Sequence, residues 1–318
     1  MSAAAINEGP PGPTDAVLGD IQVEREIDRR TRLGLHPDHG AVMAHCWPEA
    51  LAEDAEALSP VPAAPTHPHW VPIVEAIADD AGLWLVHRTI EGPSLRTFRR
   101  RMRPSILQID AIGRQLIAAV EAAHRLERTI GWLTPGRVWL AAEGRSIAPH
   151  LIGVGLPEVL PSPGRYTASL ADTPYGAPEL ADGKAPTRPS DRYALGAVLF
   201  HLVTGQAPDA TRPPPPPFLE MPTRIRDTIT MYLDNNPLAR PLDVLAVWTR
   251  SRAMATGAWS AEQLEACARL APRVPSVAQA PLPEVPEVIE EVASSPPRLT
   301  LAMIVITMVI GLVLLLAA

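Results

Sequence analysis

Of the 28 basic residues in the 318-residue chain, one is a lysine, Lys184; the rest are arginines. A mechanism that relies on an ammonium group, whether as a phosphate clamp or as an amine nucleophile, has no lysine to use in the first half of the chain. Aspartate is missing over a long interval too: none lies between Asp110 and Asp172. An aspartate base or an aspartate metal ligand cannot come from that stretch. Nine histidines include His36, His39, His45, His67 and His69. Their spacing matches no metal-ligand pattern, so they read as loop and polar surface. Cys46 and Cys267 are far apart, which excludes a disulfide scaffold and fits a reducing compartment. Cys267 is close enough to the apolar end for palmitoylation to be conceivable, and it reads as an inert thiol. Arg96, Arg99, Arg100, Arg101 and Arg103 form a basic cluster with two open readings: contact with anionic lipid head groups, or a solvated helix face.

The elements that must position such residues follow from composition and periodicity. An apolar content of 47% supports a real core and excludes a wholly disordered chain. A formal net charge of −7 argues against a nucleic-acid binder, and none is expected as a partner. The 37 prolines point to long linkers. His67-Pro68-His69-Trp70-Val71, the alternating stretch to Ile77, the turn Asp79-Asp80-Ala81-Gly82 and the run Leu83-Trp84-Leu85-Val86 predict two strands joined by a tight turn. Glu91-Gly92-Pro93-Ser94-Leu95 breaks that pattern and opens a helical region, in which Ile109, Ile112, Leu116 and Val120 share a face. Tyr193 to Val203 is an apolar helix with a stop at Gly205. Strands first and helices afterwards predict an α+β architecture with a small β-rich part packed on a larger helical part.

Residues 1–22 read as a disordered lead without a secretory signal, and 23–252 as the folded domain. Residues 253–298 combine a short helix near Ser260–Leu270, with Ser260 and Gln263 as a capping box, and a Pro-rich acidic spacer. Leu299 to Ala318 carries no charge. As a helix it would span about 30 Å, the thickness of a bilayer core. The expectation is a single membrane span that holds the amino-terminal part at the cytoplasmic face of the cell membrane.

Several stretches, in this order, resemble the bacterial serine/threonine protein kinase family. They are His67-Pro68 with its two strands, Glu91 to Leu95, Thr173-Pro174-Tyr175-Gly176-Ala177-Pro178-Glu179, Ser190 to Gly196 with Leu202 to Gly205, and Asn236-Pro237-Leu238-Ala239-Arg240-Pro241. The resemblance implies a two-lobed protein-kinase-like fold, with an N-lobe to about residue 92 and a C-lobe over 93–252. It also implies a place for each catalytic part. The glycine-rich loop falls on Arg32-Leu33-Gly34-Leu35-His36, with one glycine, and the lysine on His45. Glu53 or Glu56 would be the lysine's partner. The catalytic aspartate becomes Trp132, the metal asparagine Arg137, and the metal aspartate Gly153. Indole accepts no proton, glycine holds no Mg²⁺, and arginine repels it.

The retained residues are structural in this family. Glu179 and Arg240 match a buried ion pair, and Asp191 matches the aspartate that holds the catalytic-loop backbone. A helix used for docking substrates is expected to be missing where Pro213 to Pro217 fills a short connection. The resemblance therefore implies a degenerate member, a pseudokinase, with no catalytic residues, no metal site, no ATP or Mg²⁺ cofactor, an unassigned nucleotide site and a protein partner. Two other readings stay open: a divergent active kinase with relocated catalytic residues, and a metal-independent nucleotide-sensing switch.

Overall fold

The computed structural model describes residues 17–28, 30–47, 57–58, 61, 66–160, 163, 173–181, 183–242, 245, 248 and 258–272. Leu299–Ala318, most of the Pro-rich acidic spacer, and Glu53 and Glu56 lie outside these residues. Among the described residues no helix is long and apolar enough to cross a membrane.

The amino-terminal half is a six-stranded sheet in the order β1-β2-β3-β4-β7-β6. Its strands are β1 (Val17–Leu18), β2 (Ile21–Asp28), β3 (Thr31–His36), β4 (Gly40–Trp47), β6 (Ile73–Asp79) and β7 (Gly82–Arg88), and every pairing is antiparallel. Strand pairing thus begins inside the segment expected to be a disordered lead. Leu18 and Ile21 are buried with Val42, Cys46 and Trp84 on one face of the sheet, which fixes them in place. The expected turn between β6 and β7 is present: Asp79 Oδ1 accepts from the Ala81 N–H at 2.8 Å, and Gly82 takes φ 132°.

A second sheet, β5-β9-β8, joins β5 (Trp70–Val71), β8 (Val138–Glu143) and β9 (Ser146–Ile152). Around it lie α1 (Leu95–Arg101), α2 (Ile106–Arg125), α3 (Arg188–Thr204), α4 (Pro216–Leu219), α5 (Thr223–Tyr232) and α6 (Ala261–Arg269). Local chemistry starts and stops these helices. Ser94 caps α1, and capping boxes open α2 (Ser105 and Gln108), α3 (Thr187 and Ser190) and α6 (Ser260 and Gln263). Gly205 ends α3 in the left-handed region at φ 76°. The expected face of α2 is real, with Ile109, Ile112, Leu116 and Val120 all buried.

Helix α3 starts at Arg188, earlier than the apolar run beginning at Tyr193, because its first turn carries the polar groups that cap it. From Ala194 to Val203 it is buried on every side, as befits the central helix of a lobe. It packs so closely on α5 that a Cβ added to Gly196 would meet Tyr232 Cβ at 2.6 Å. Between α3 and α5 the only helical turn among the described residues is the four-residue α4, in keeping with the short proline-filled connection. Helix α6 is not a detached element of the linker: Cys267 is fully buried against β8, its Sγ donating to the Leu140 carbonyl at 3.6 Å, so the folded unit runs past residue 252. Burial pushes that thiol up to about 12, which fits an inert side chain.

Two buried carboxylate clusters tie the helical lobe together. Asp191, 1% exposed, accepts from the N–H groups of Ile130 and Gly131 at 2.8 Å each and from His124 Nε2 at 3.0 Å. Arg240, 2% exposed, forks onto Glu179 at 2.6 and 2.9 Å and also donates to the carbonyls of Pro189 and Asp234. Arg240→Ala strands the Glu179 carboxylate and two carbonyls. It is expected to cost about 3–5 kcal/mol in urea denaturation, with the Arg240→Ala/Glu179→Ala double variant less destabilised than the sum of the single variants.

Candidate functional site: the region between the lobes

β4 alternates its side chains, so Met43, His45 and Trp47 share the face turned toward the helical lobe. Met43 packs with Leu33, Trp139 and Ile152, while Trp47 joins the main core together with Trp132. His45 is 4% exposed; its Nδ1 lies 3.2 Å from Thr31 Oγ1. Its ring stacks on His87 at 5.1 Å and tilts toward Trp139 at 5.9 Å. Trp132 meets Trp47 edge to face at 6.1 Å, and the Arg137 guanidinium lies over the Trp47 ring at 3.7 Å. Gly153, at φ 82°, follows β9, and a Cβ placed on it would stand 3.9 Å from the Trp47 ring.

The residues expected at the four catalytic positions therefore do converge. Trp132, Arg137 and Gly153 gather around a single indole, that of Trp47, while His45 lies two residues away on the same face of β4 and stacks on His87. The side chains so assembled are aromatic, aliphatic or cationic, and none is a carboxylate. The acid nearest in sequence to Gly153, Glu158, is engaged elsewhere: its Oε1 accepts from the N–H of Thr129 at 2.7 Å and from its hydroxyl at 2.9 Å. The set as built can stack and bury surface. It presents no oxygen ligand for a divalent cation, and its one titratable base, the His45 imidazole, is buried beside Thr31 Oγ1.

One placement requires correction. Arg32-Leu33-Gly34-Leu35-His36, expected to be the loop over the phosphates, is strand β3. Gly34 serves packing, since a Cβ there would lie 2.4 Å from the Gln22 carbonyl oxygen. β2 ends at Asp28 and β3 begins at Thr31, and the sequence between them holds no glycine. The early histidines do not form one group: His36 lies 4.5 Å from His39, ring to ring, and pairs with Glu75 at 3.3 Å, while His67 lies 5.5 Å from His69 and tilts against Trp70 at 4.7 Å. Among the described residues no three His, Cys, Asp or Glu side chains are grouped to hold a metal ion. The sequence reading missed Trp47, His87 and Trp139. Trp47 lies two residues from His45 and Trp139 two from Arg137, a signal the sequence offered, whereas His87 comes from β7 and is brought in by strand pairing.

Burial holds both stacked histidines in the neutral form. His45 is pushed well below 6.5 by burial first, then by His87 and by the Arg137 charge, and burial brings His87 to about 4.

No protein-family model matches the chain. The serine/threonine-protein kinase PkaA of Streptomyces coelicolor is 32% identical over 146 residues, 45% of this chain and 27% of that protein. PkaB of the same organism is 32% identical over 193 residues, covering 55% and 45%. PknK of Mycobacterium tuberculosis is 33% identical over 144 residues, covering 44% and 13%. The chain thus spans less than half the length of these relatives. Among solved structures, the Mycobacterium tuberculosis PknI kinase domain superposes with a TM-score of 0.56 at 20% identity, covering 76% of this chain and 97% of that one. The Rad53 kinase domain gives 0.53 at 14%, covering 78% and 98%. The chain has bacterial serine/threonine protein kinases as relatives, and it folds as a kinase domain, with a β-rich N-lobe and a helical C-lobe.

The buried histidines make stability depend on pH. Their folded values lie below the unfolded 6.5, so the unfolded chain binds more protons between pH 6.5 and 4, and stability falls as pH drops through that window. His87 alone accounts for about 3 kcal/mol across it. His201, brought to about 4 by burial and by Arg96, Arg99 and Arg100, acts in the same sense. Urea midpoints measured from pH 8 to 4.5 are expected to fall less steeply in His87→Phe than in the native chain.

Proposed function

We propose that this protein is a kinase-like binding module that does not transfer phosphate, and that Leu299–Ala318 holds it at the cytoplasmic face of a membrane. The observation that carries the reading is the Trp47 cluster. His45 replaces a phosphate-clamping ammonium group, and Arg137 and Gly153 replace the metal ligands. The Trp47 indole and Leu156 border the place of a side chain at 153, each 3.9 Å from its Cβ. A triphosphate with its magnesium ion needs cations and oxygen ligands in that space. The retained Asp191 and Glu179–Arg240 clusters preserve the lobe as a surface for a protein partner, and tethering raises its local concentration at the membrane.

The names of the relatives favour a second reading, a divergent serine/threonine kinase that uses other residues. The two readings separate in one experiment. The full chain in detergent micelles is incubated with Mg-ATP and acceptor proteins, and its thermal stability is followed with and without Mg-ATP. The binding-module reading expects no phosphate incorporation and no magnesium-dependent rise in melting temperature. Transfer that disappears in His45→Ala or Trp132→Ala overturns it. Deletion of 299–318 is expected to release the protein from sedimenting membranes.

A further inference from the structure

The basic cluster on α1 lines a cavity away from the Trp47 group. A recess of about 520 Å³ lies between α1, the start of α2, the end of α3 and α4, and Arg99, Arg100 and Arg103 contribute to its wall. Ile106, Ile109, Val203 and Met221 supply apolar lining, and Glu220 is the one acid. Arg99 is 7% exposed. Its Nη1 and Nη2 donate to the carbonyls of Met102 and Val203, at the ends of α1 and α3, and its Nε, fully enclosed, has no partner. Arg100 and Arg103 are exposed, and neither has a carboxylate partner among the described residues. Burial, and then the charge of Arg103, lower the Arg99 value to about 10, the sign of positive charge held without compensation.

We propose that this recess binds a phosphorylated serine or threonine of a partner polypeptide, with a neighbouring apolar side chain against Ile106, Ile109 and Met221. Three guanidinium groups against one carboxylate leave two positive charges, the complement of a phosphomonoester that carries about −1.5 to −2 at pH 7. Guanidinium forks suit phosphate oxygens. The cavity falls in the usual range for small-ligand sites, about 300–1,000 Å³, so it holds more than a lone phosphate. Its apolar wall asks for a hydrocarbon group beside the anion. A lipid surface is matched by a flat or protruding basic face, whereas this one is recessed between helices. Binding here requires nothing of the region around Trp47 and stands whether or not that region transfers phosphate.

The test uses the full chain in detergent micelles and two fluorescent peptide libraries, identical except that one carries phosphothreonine before a central leucine and the other threonine. The phosphorylated library is expected to bind at least about tenfold more tightly. Arg100→Glu with Arg103→Glu, both exposed, is expected to remove that preference with the melting temperature retained, and Glu220→Gln to strengthen binding. Equal binding of the two libraries, or a preference unchanged by charge reversal, overturns the proposal. So does an inositol polyphosphate head group bound in place of either library.

Discussion

A buried carboxylate at the head of the central helix organises the helical lobe. Asp191 stands in the first turn of α3, where the unsatisfied N–H groups of the helix favour negative charge. It uses that position to hold a different stretch of chain, Ile130-Gly131, by two backbone N–H groups, and α2 through His124. Gly131 adopts φ 76°, a conformation glycine takes without strain, so the loop is shaped to present its N–H to that carboxylate. The end of α2 and the loop after it are thus fixed to α3, some sixty residues on, by one side chain. The loop that then continues to Trp132 and Arg137 inherits its place from Asp191, which is why Trp132 reaches Trp47 at all.

That fixed loop carries Trp132 and Arg137 to the Trp47 indole. Where a phosphate-handling site would hold charges that must be solvated or matched by a ligand, this chain holds indole, imidazole and a guanidinium laid on an aromatic face. Unmatched carboxylates facing one another would repel in the empty state, whereas buried aromatic surface is favourable in that state. The region around Trp47 therefore contributes to holding the two lobes together without a ligand. Full burial of His45 and His87 follows from the same packing, and it makes acid a stress on the N-lobe.

Local features were legible in the sequence because their causes are local. The Asp79–Gly82 turn, the Ser260 capping box, the Gly205 stop and the buried face of α2 depend on residues within a few positions of each other. The family resemblance placed His45, Trp132, Arg137 and Gly153 near one another, and Glu179 opposite Arg240, because those relations belong to the fold. Three features were not legible. The first strand pairing, at Val17, depends on a partner strand across a turn and on burial beneath β4. The docking of α6 depends on β8, more than a hundred residues earlier. The loss of glycine at the β2–β3 hairpin was obscured because Gly34, three residues beyond it, offered a plausible substitute, when its absent Cβ in fact makes room for the Gln22 carbonyl.

The arginines of α1 show how one composition bias divides into two roles. Arg99 is turned inward and satisfies carbonyls at the ends of two helices, a use for which a guanidinium with its several fixed donors is better suited than an ammonium group. Arg100 and Arg103, one and four residues on, stay exposed, Arg103 donating to the Arg99 and Met102 carbonyls at the end of α1. The charges of Arg100 and Arg103 stay at the rim of the recess, and burial first, then Arg96, Arg99 and Arg100, lower His201, on α3, toward the neutral form. With Glu220 as the one acid in its lining, the recess at the α1–α3 junction keeps a net positive wall.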